Sequence, residues 1–131
     1  MLNVKMQYSG IKIDCLFENK INMLSGYSGT GKTLLMKATE LYCLNHNIKC
    51  KYCDFRCREM KTEQIEIMCA GAKVILLDNA DLYLNNELLT RLSKMSEQII
   101  ICMKDTSSID MYNVTEYLVN YENLELTIEV L

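Results

Sequence analysis

The chain has 131 residues, 50% of them hydrophobic and 24% charged, with a formal net charge of −3. That is the size of one domain, long enough to bury a core without staples, and its acidic balance excludes a general basic surface for nucleic acid or membrane. No apolar run approaches the roughly 20 residues of a membrane helix, no apolar leader opens the chain, and the seven cysteines are an odd number, so reduced thiols in a cytoplasmic protein are expected.

Residues 2–17 read as an antiparallel hairpin. Val4, Met6 and Tyr8 alternate with Lys5 and Gln7, Ser9-Gly10 makes the turn, and Ile11, Ile13 and Cys15 alternate again. After a polar break at 18–20, residues 21–24 form a short strand running into a glycine-rich turn. A helix is expected over 31–46, where Leu34, Leu35, Ala38, Leu41 and Tyr42 recur at helical spacing. Residues 48–55 alternate as a second strand, 59–68 read as a charged helix, and Ala70-Gly71-Ala72 closes it. Residues 73–78 form an apolar strand ending in a carboxylate, the pattern of a strand buried on both faces. A helix over 82–95, a buried strand over 98–103, and β-like segments around 117–119 and 124–130 complete the chain. Alternating strands and helices predict right-handed βαβ units.

One motif carries chemistry. Gly26-Tyr27-Ser28-Gly29-Thr30-Gly31-Lys32-Thr33 fits G-x-x-x-x-G-K-[ST] at every fixed position. Average residue usage would give such a match in roughly one chain in two hundred of this length. Glycines let the backbone wrap closely round a polyphosphate, and successive N–H groups then point inward at the positive end of the following helix. Lys32 is expected to reach the β- and γ-phosphates, Thr33 to offer a hydroxyl to Mg²⁺, and Leu34 to complete the loop's amides. Downstream, Val74-Ile75-Leu76-Leu77-Asp78 is four apolar residues and an acid, the Walker B pattern, which places Asp78 in the Mg²⁺ shell.

On these residues the chain resembles the P-loop NTPases, and within them a minimal ABC/SMC-type (AAA-like) ATPase. The resemblance implies a single domain over 1–131 with a three-layer α/β P-loop NTPase fold, its sheet mostly parallel with an N-terminal antiparallel hairpin. It also implies ATP and Mg²⁺ as cofactors. An aromatic on an early strand stacks on adenine in that family, and Tyr8 stands at the corresponding place, with hairpin packing as the other reading. Tyr27 lies inside the loop and is a further nucleotide contact.

The chain also departs from the family. Asn79 occupies the position of the general-base Glu, and an amide cannot take a proton from water, an assistance worth about 10²–10⁴-fold. Asp81 is the nearest spare acid, either a catalytic substitute or an ordinary helix-starting residue. Lys104, before Asp105, stands at the switch-His position. The signature helical subdomain is absent, Gln64 is a weak stand-in for the family's glutamine, and only Arg56, Arg58 and Arg91 could serve as an arginine finger. The reading is therefore Mg²⁺-dependent ATP binding with weak or partner-dependent hydrolysis, a protein partner or second copy completing the site. Its alternatives are a self-assembling ATPase using Asp81, or a non-catalytic interaction module. Nucleic acid is not indicated by charge. Cys50-x-x-Cys53, with His46 or Cys57, could form a zinc site, against the commoner reading of core thiols.

Overall fold

The computed structural model describes residues 1–26 and 29–131. Its elements in chain order are β1 (Leu2–Tyr8), β2 (Ile11–Phe17), β3 (Ile21–Ser25), α1 (Lys32–Asn45), β4 (Cys50–Cys53), a 3₁₀ turn (Phe55–Glu59), α2 (Thr62–Met68), β5 (Val74–Leu77), a 3₁₀ turn (Ala80–Leu82), α3 (Asn86–Met95), β6 (Gln98–Cys102), β7 (Thr115–Glu122) and β8 (Glu125–Val130). All eight strands join one sheet in the order β1-β2-β8-β7-β3-β6-β5-β4, curved into a half-barrel.

Side-chain parity assigns the two faces. On β5, Val74 and Leu76 join the cluster that holds Leu35, Met36 and Ala38 of α1, whereas Ile75 and Leu77 join the cluster that holds Ile65 of α2 and Leu88 and Leu92 of α3. β6 divides in the same way, with Ile100 and Cys102 toward α1 and Ile99 and Ile101 on the far side. These central strands are apolar on both faces because both faces are covered. The other half of the sheet is different. Leu2, Val4, Ile11, Ile13, Cys15 and Phe17 of β1 and β2, with Tyr117, Val119 and Leu126 of β7 and β8, all face the α1 side. Their alternate neighbours Lys5, Lys12, Asp14, Glu125 and Thr127 are exposed.

The expected three-layer P-loop NTPase fold with a mostly parallel sheet is therefore corrected. The sheet is mixed: β1–β2 and β7–β8 are antiparallel hairpins, joined to each other by a parallel β2–β8 pairing. The physical reason is coverage. Three helices cannot cover both faces of eight strands, so the hairpin half carries helix on one side only, and its amphipathic strands bend round α1. That helix touches both edge strands, β1 and β4.

Local chemistry sets the smaller boundaries. The Asp54 carboxylate accepts from Arg56 N–H at 3.0 Å and starts the 3₁₀ turn inside the region expected to be strand. Gln64 Oε1 accepts from Lys61 N–H at 2.8 Å, capping α2 three residues later than expected. Asn85 accepts from Leu88 N–H at 2.8 Å and caps α3.

Candidate functional site

The glycine-rich segment follows β3 and leads into α1. Gly26, Gly29 and Gly31 have φ of 130°, 81° and 94°, conformations that side chains rarely adopt. Gly31 is the N-cap of α1, and its carbonyl accepts the first helical bond, from Leu35 N–H, at 2.9 Å. The helix thus begins at Lys32, and its first-turn amides have no helical acceptors by construction. Tyr27 and Ser28 lie outside the described residues. The Lys32 ammonium donates to the Gly26 carbonyl at 2.6 Å, across the mouth of the loop.

Asp78, just past β5 and only 4% exposed, is the meeting point of the site. Its parity matches Val74 and Leu76, so it points to the α1 face. One carboxylate oxygen accepts from Thr33 Oγ1 at 3.3 Å and from the Tyr52 hydroxyl at 2.8 Å, and the other from Asn79 N–H at 3.0 Å. Thr33 and Asp78 are thereby brought together across 45 residues of chain. Burial, and then the bond to Asp78, push the Tyr52 hydroxyl well above the usual tyrosine range, so it remains a donor. Lys37 caps the Tyr52 ring from 3.9 Å. Tyr83 donates to the Asp78 carbonyl at 2.6 Å and fixes the main chain there.

Lys32, Thr33, Leu34, Asp78, Asn79 and Asp81 line one cleft of about 350 Å³ with Gly29 and Gly31. Cys102, Met103 and Lys104 close it from the end of β6. Burial, and then the charge of Asp78, push the Cys102 thiol up to about 11. Lys104 also lines an adjoining cleft of about 360 Å³ with Gly26, Lys32, Thr106 and Glu116. Asp81 reaches the site because Asn79 takes a left-handed conformation, φ 51° and ψ 38°, that turns residues 80–82 back.

Other expected residues lie elsewhere. Tyr8 lines a separate groove of about 730 Å³ with Lys37, Glu40, Leu44 and Cys50. Arg56 pairs with Asp54 at 2.8 Å, and Arg91 with Glu87 at 2.9 Å and Glu66 at 3.4 Å. Gln64 is occupied in capping α2. Cys50 faces α1, whereas Cys53 lies on the opposite face, its Sγ 3.7 Å from that of Cys69. His46 stacks on Tyr42, the centroids 4.0 Å apart. Two contributors had no motif to announce them: Tyr52, which needs the β4–β5 register to reach Asp78, and Tyr121, whose Cδ2 would lie 3.2 Å from a Cβ built on Gly31.

Among the described residues no group of three or more His, Cys, Asp or Glu side chains could hold a metal ion. A site whose metal ligands are all protein is therefore a poor match. Mg²⁺ is a better one, since it keeps waters and binds through one or two protein oxygens plus substrate phosphates. Thr33 Oγ1 and Asp78 Oδ2 at 3.3 Å are a suitable oxygen pair for that role. No protein-family model matches the chain, and no curated protein matches it. No helix among the described residues is long and apolar enough to cross a membrane.

Proposed function

We propose that the chain binds a nucleoside triphosphate, ATP foremost, together with Mg²⁺, and hydrolyses it slowly or only with a partner. The observation that carries this reading is the convergence of Lys32, Thr33 and Asp78 on one cleft at the N-terminus of α1. The amides between Gly29 and Leu34 would receive phosphate oxygens, where the positive helix end favours an anion. Lys32 would exchange the Gly26 carbonyl for a phosphate, a trade of one charge-assisted bond for a stronger one between opposite charges. Thr33 and Asp78 would hold Mg²⁺, which when bound neutralises charge between the terminal phosphates.

The hydrolytic side is weaker. Asn79 cannot act as a base, and Arg56 and Arg91 are held by acids outside the cleft. Besides Lys32, Lys104 is the cation that lines the cleft among the described residues, and the remaining groups would come from a protein partner or a second copy. Presence of Asp81 in the cleft favours a second reading, in which this acid orients the attacking water and the chain is a competent ATPase. All seven cysteines are free thiols, which suits the reducing cytoplasm.

Isothermal titration with Mg·ATP is the test. Wild-type protein is expected to bind and Lys32→Ala to lose binding. Phosphate release is expected below about 1 s⁻¹, the low end of ordinary enzyme rates. Faster turnover that collapses in Asp81→Ala selects the second reading. Folded protein that gives no heat at millimolar Mg·ATP overturns both and leaves an interaction module.

A further inference from the structure

We infer that Tyr121, on the C-terminal hairpin, is the platform on which the nucleobase of the bound nucleotide stacks. This rests on the triphosphate site proposed above and adds the group that recognises the other end of the ligand.

Register explains why Tyr121 stands where it does. The last residue of β3, Ser25, pairs with Leu118, yet β7 continues to Glu122. At about 3.3 Å per residue, Tyr121 is therefore carried roughly 10 Å past the end of β3, alongside the loop that leaves it. Side-chain parity puts Tyr121 on the inward face with Tyr117 and Val119. Those two are each 3% exposed, whereas Tyr121 is 41% exposed. The row emerges from the core at the first turn of α1. Tyr121 and its cross-strand partner Leu126 both touch Gly31: a Cβ built there would lie 3.2 Å from Tyr121 Cδ2 and 3.0 Å from Leu126 Cδ1.

The site is polarised across the sheet. On one side of β3, at the ends of β6 and β5, stand Lys104, Asp78 and Asp81. On the other side, at β7 and β8, stand Tyr121 and Leu126 against Gly31, while Glu116, of the opposite parity on β7, lines the adjoining cleft. A nucleoside triphosphate has the same polarity, with charge at one end and an aromatic ring at the other. From β5 to β7 is three strand spacings, about 14 Å, the order of length of such a molecule when extended. With terminal phosphates toward Asp78, the nucleoside leaves toward β7, where the Tyr121 ring is 41% exposed. Tyr8 lines a different groove.

The test separates base from phosphates by titrating Mg·ATP and inorganic Mg·tripolyphosphate. Base stacking is worth about 1–3 kcal/mol, so Tyr121→Ala is expected to weaken Mg·ATP roughly 5- to 150-fold, leave tripolyphosphate unchanged, and be restored by Tyr121→Phe. Tyr121→Leu keeps an apolar contact to Gly31 without a ring and is expected to behave like the alanine variant, which guards against a purely structural effect. The inference is overturned if Tyr121→Ala binds Mg·ATP as wild type does, if both ligands weaken equally, or if Tyr8→Ala alone gives the selective loss. If wild-type protein binds neither ligand, the triphosphate site itself fails and the platform with it.

Discussion

Gly31 carries two separable constraints, and replacing it by alanine measures both. Its φ of 94° is left-handed, which costs an L-residue about 1–2 kcal/mol. The new methyl would also meet Leu126 Cδ1 at 3.0 Å, Tyr121 Cδ2 at 3.2 Å and Tyr121 Cβ at 3.6 Å. Tyr121 is exposed enough for its ring to swing aside, but Leu126 is fully buried and cannot yield without moving the hairpin. Overpacking of this kind adds about 1–3 kcal/mol. Gly29 is the internal control: its φ is 81°, but nothing lies within 4 Å of a Cβ there. Gly29→Ala is therefore expected to lose about 1–2 kcal/mol and Gly31→Ala about 2–5 kcal/mol, read from urea unfolding followed by circular dichroism. Adding Tyr121→Ala to Gly31→Ala should recover part of the excess, because the two sites share a contact. Equal losses at Gly29 and Gly31 would show that the hairpin does not press on the loop, and the geometry of the whole site would need revision.

Asp78→Asn keeps the shape of the side chain but removes its charge. ATP affinity measured with Mg²⁺ and with chelator should differ in wild-type protein, and the variant should lose on the order of tenfold of that difference; an unchanged ratio would remove Asp78 from the metal shell. The buried thiols predict alkaline destabilisation. Burial, with the charges of Asp14 and Asp78 respectively, raises Cys15 to about 12 and Cys102 to about 11, from an unperturbed value of 9.0. A thiol with a higher pKa when folded supports the fold while protonated. Its contribution is complete below pH 9 and is lost as pH rises through 11 and 12. Urea midpoints should fall across that window, less steeply in Cys102→Ala, and a midpoint that rose with pH would contradict the burial of these groups.

The legible parts of this fold were those written in local pattern. Alternation in residues 2–17 marks β1 and β2 because one face of each is solvated, and the run Val74–Leu77 marks β5 because both its faces are covered. The glycine–lysine–threonine spacing located the loop because positive φ, a helix start and a cationic side chain are demanded within eight residues. What stayed hidden depends on pairing between distant segments. Lys12 pairs with Glu125 and Ile13 with Leu126, and no local feature of either segment names the other. The pairing of β7 with β3, Ser25 opposite Leu118, is equally unannounced, and it brings the C-terminal hairpin beside β3 and Tyr121 beside Gly31. Tyr8, picked out by its sequence distance from the loop lysine, is carried by the curvature of the sheet toward β4 and the later turns of α1.

Asn79 connects a single residue type to the shape of the site. Its backbone at φ 51° and ψ 38° lies where asparagine is several-fold enriched among residues other than glycine. A glutamate at that position would supply a base but would bear the strain of the left-handed conformation, about 1–2 kcal/mol. The same turn starts the 3₁₀ segment Ala80–Leu82 and places Asp81 on the cleft wall, while Tyr83 bonds back to the Asp78 carbonyl and holds the segment closed. One backbone conformation thus has two consequences: it suits asparagine next to Asp78, and it brings the acid three residues later to the cleft. Of the two acids that line the cleft, Asp78 is buried with its oxygens bonded to Thr33, Tyr52 and Asn79, whereas Asp81 lies beyond the turn, so the proposed role of a base falls to Asp81 if to either.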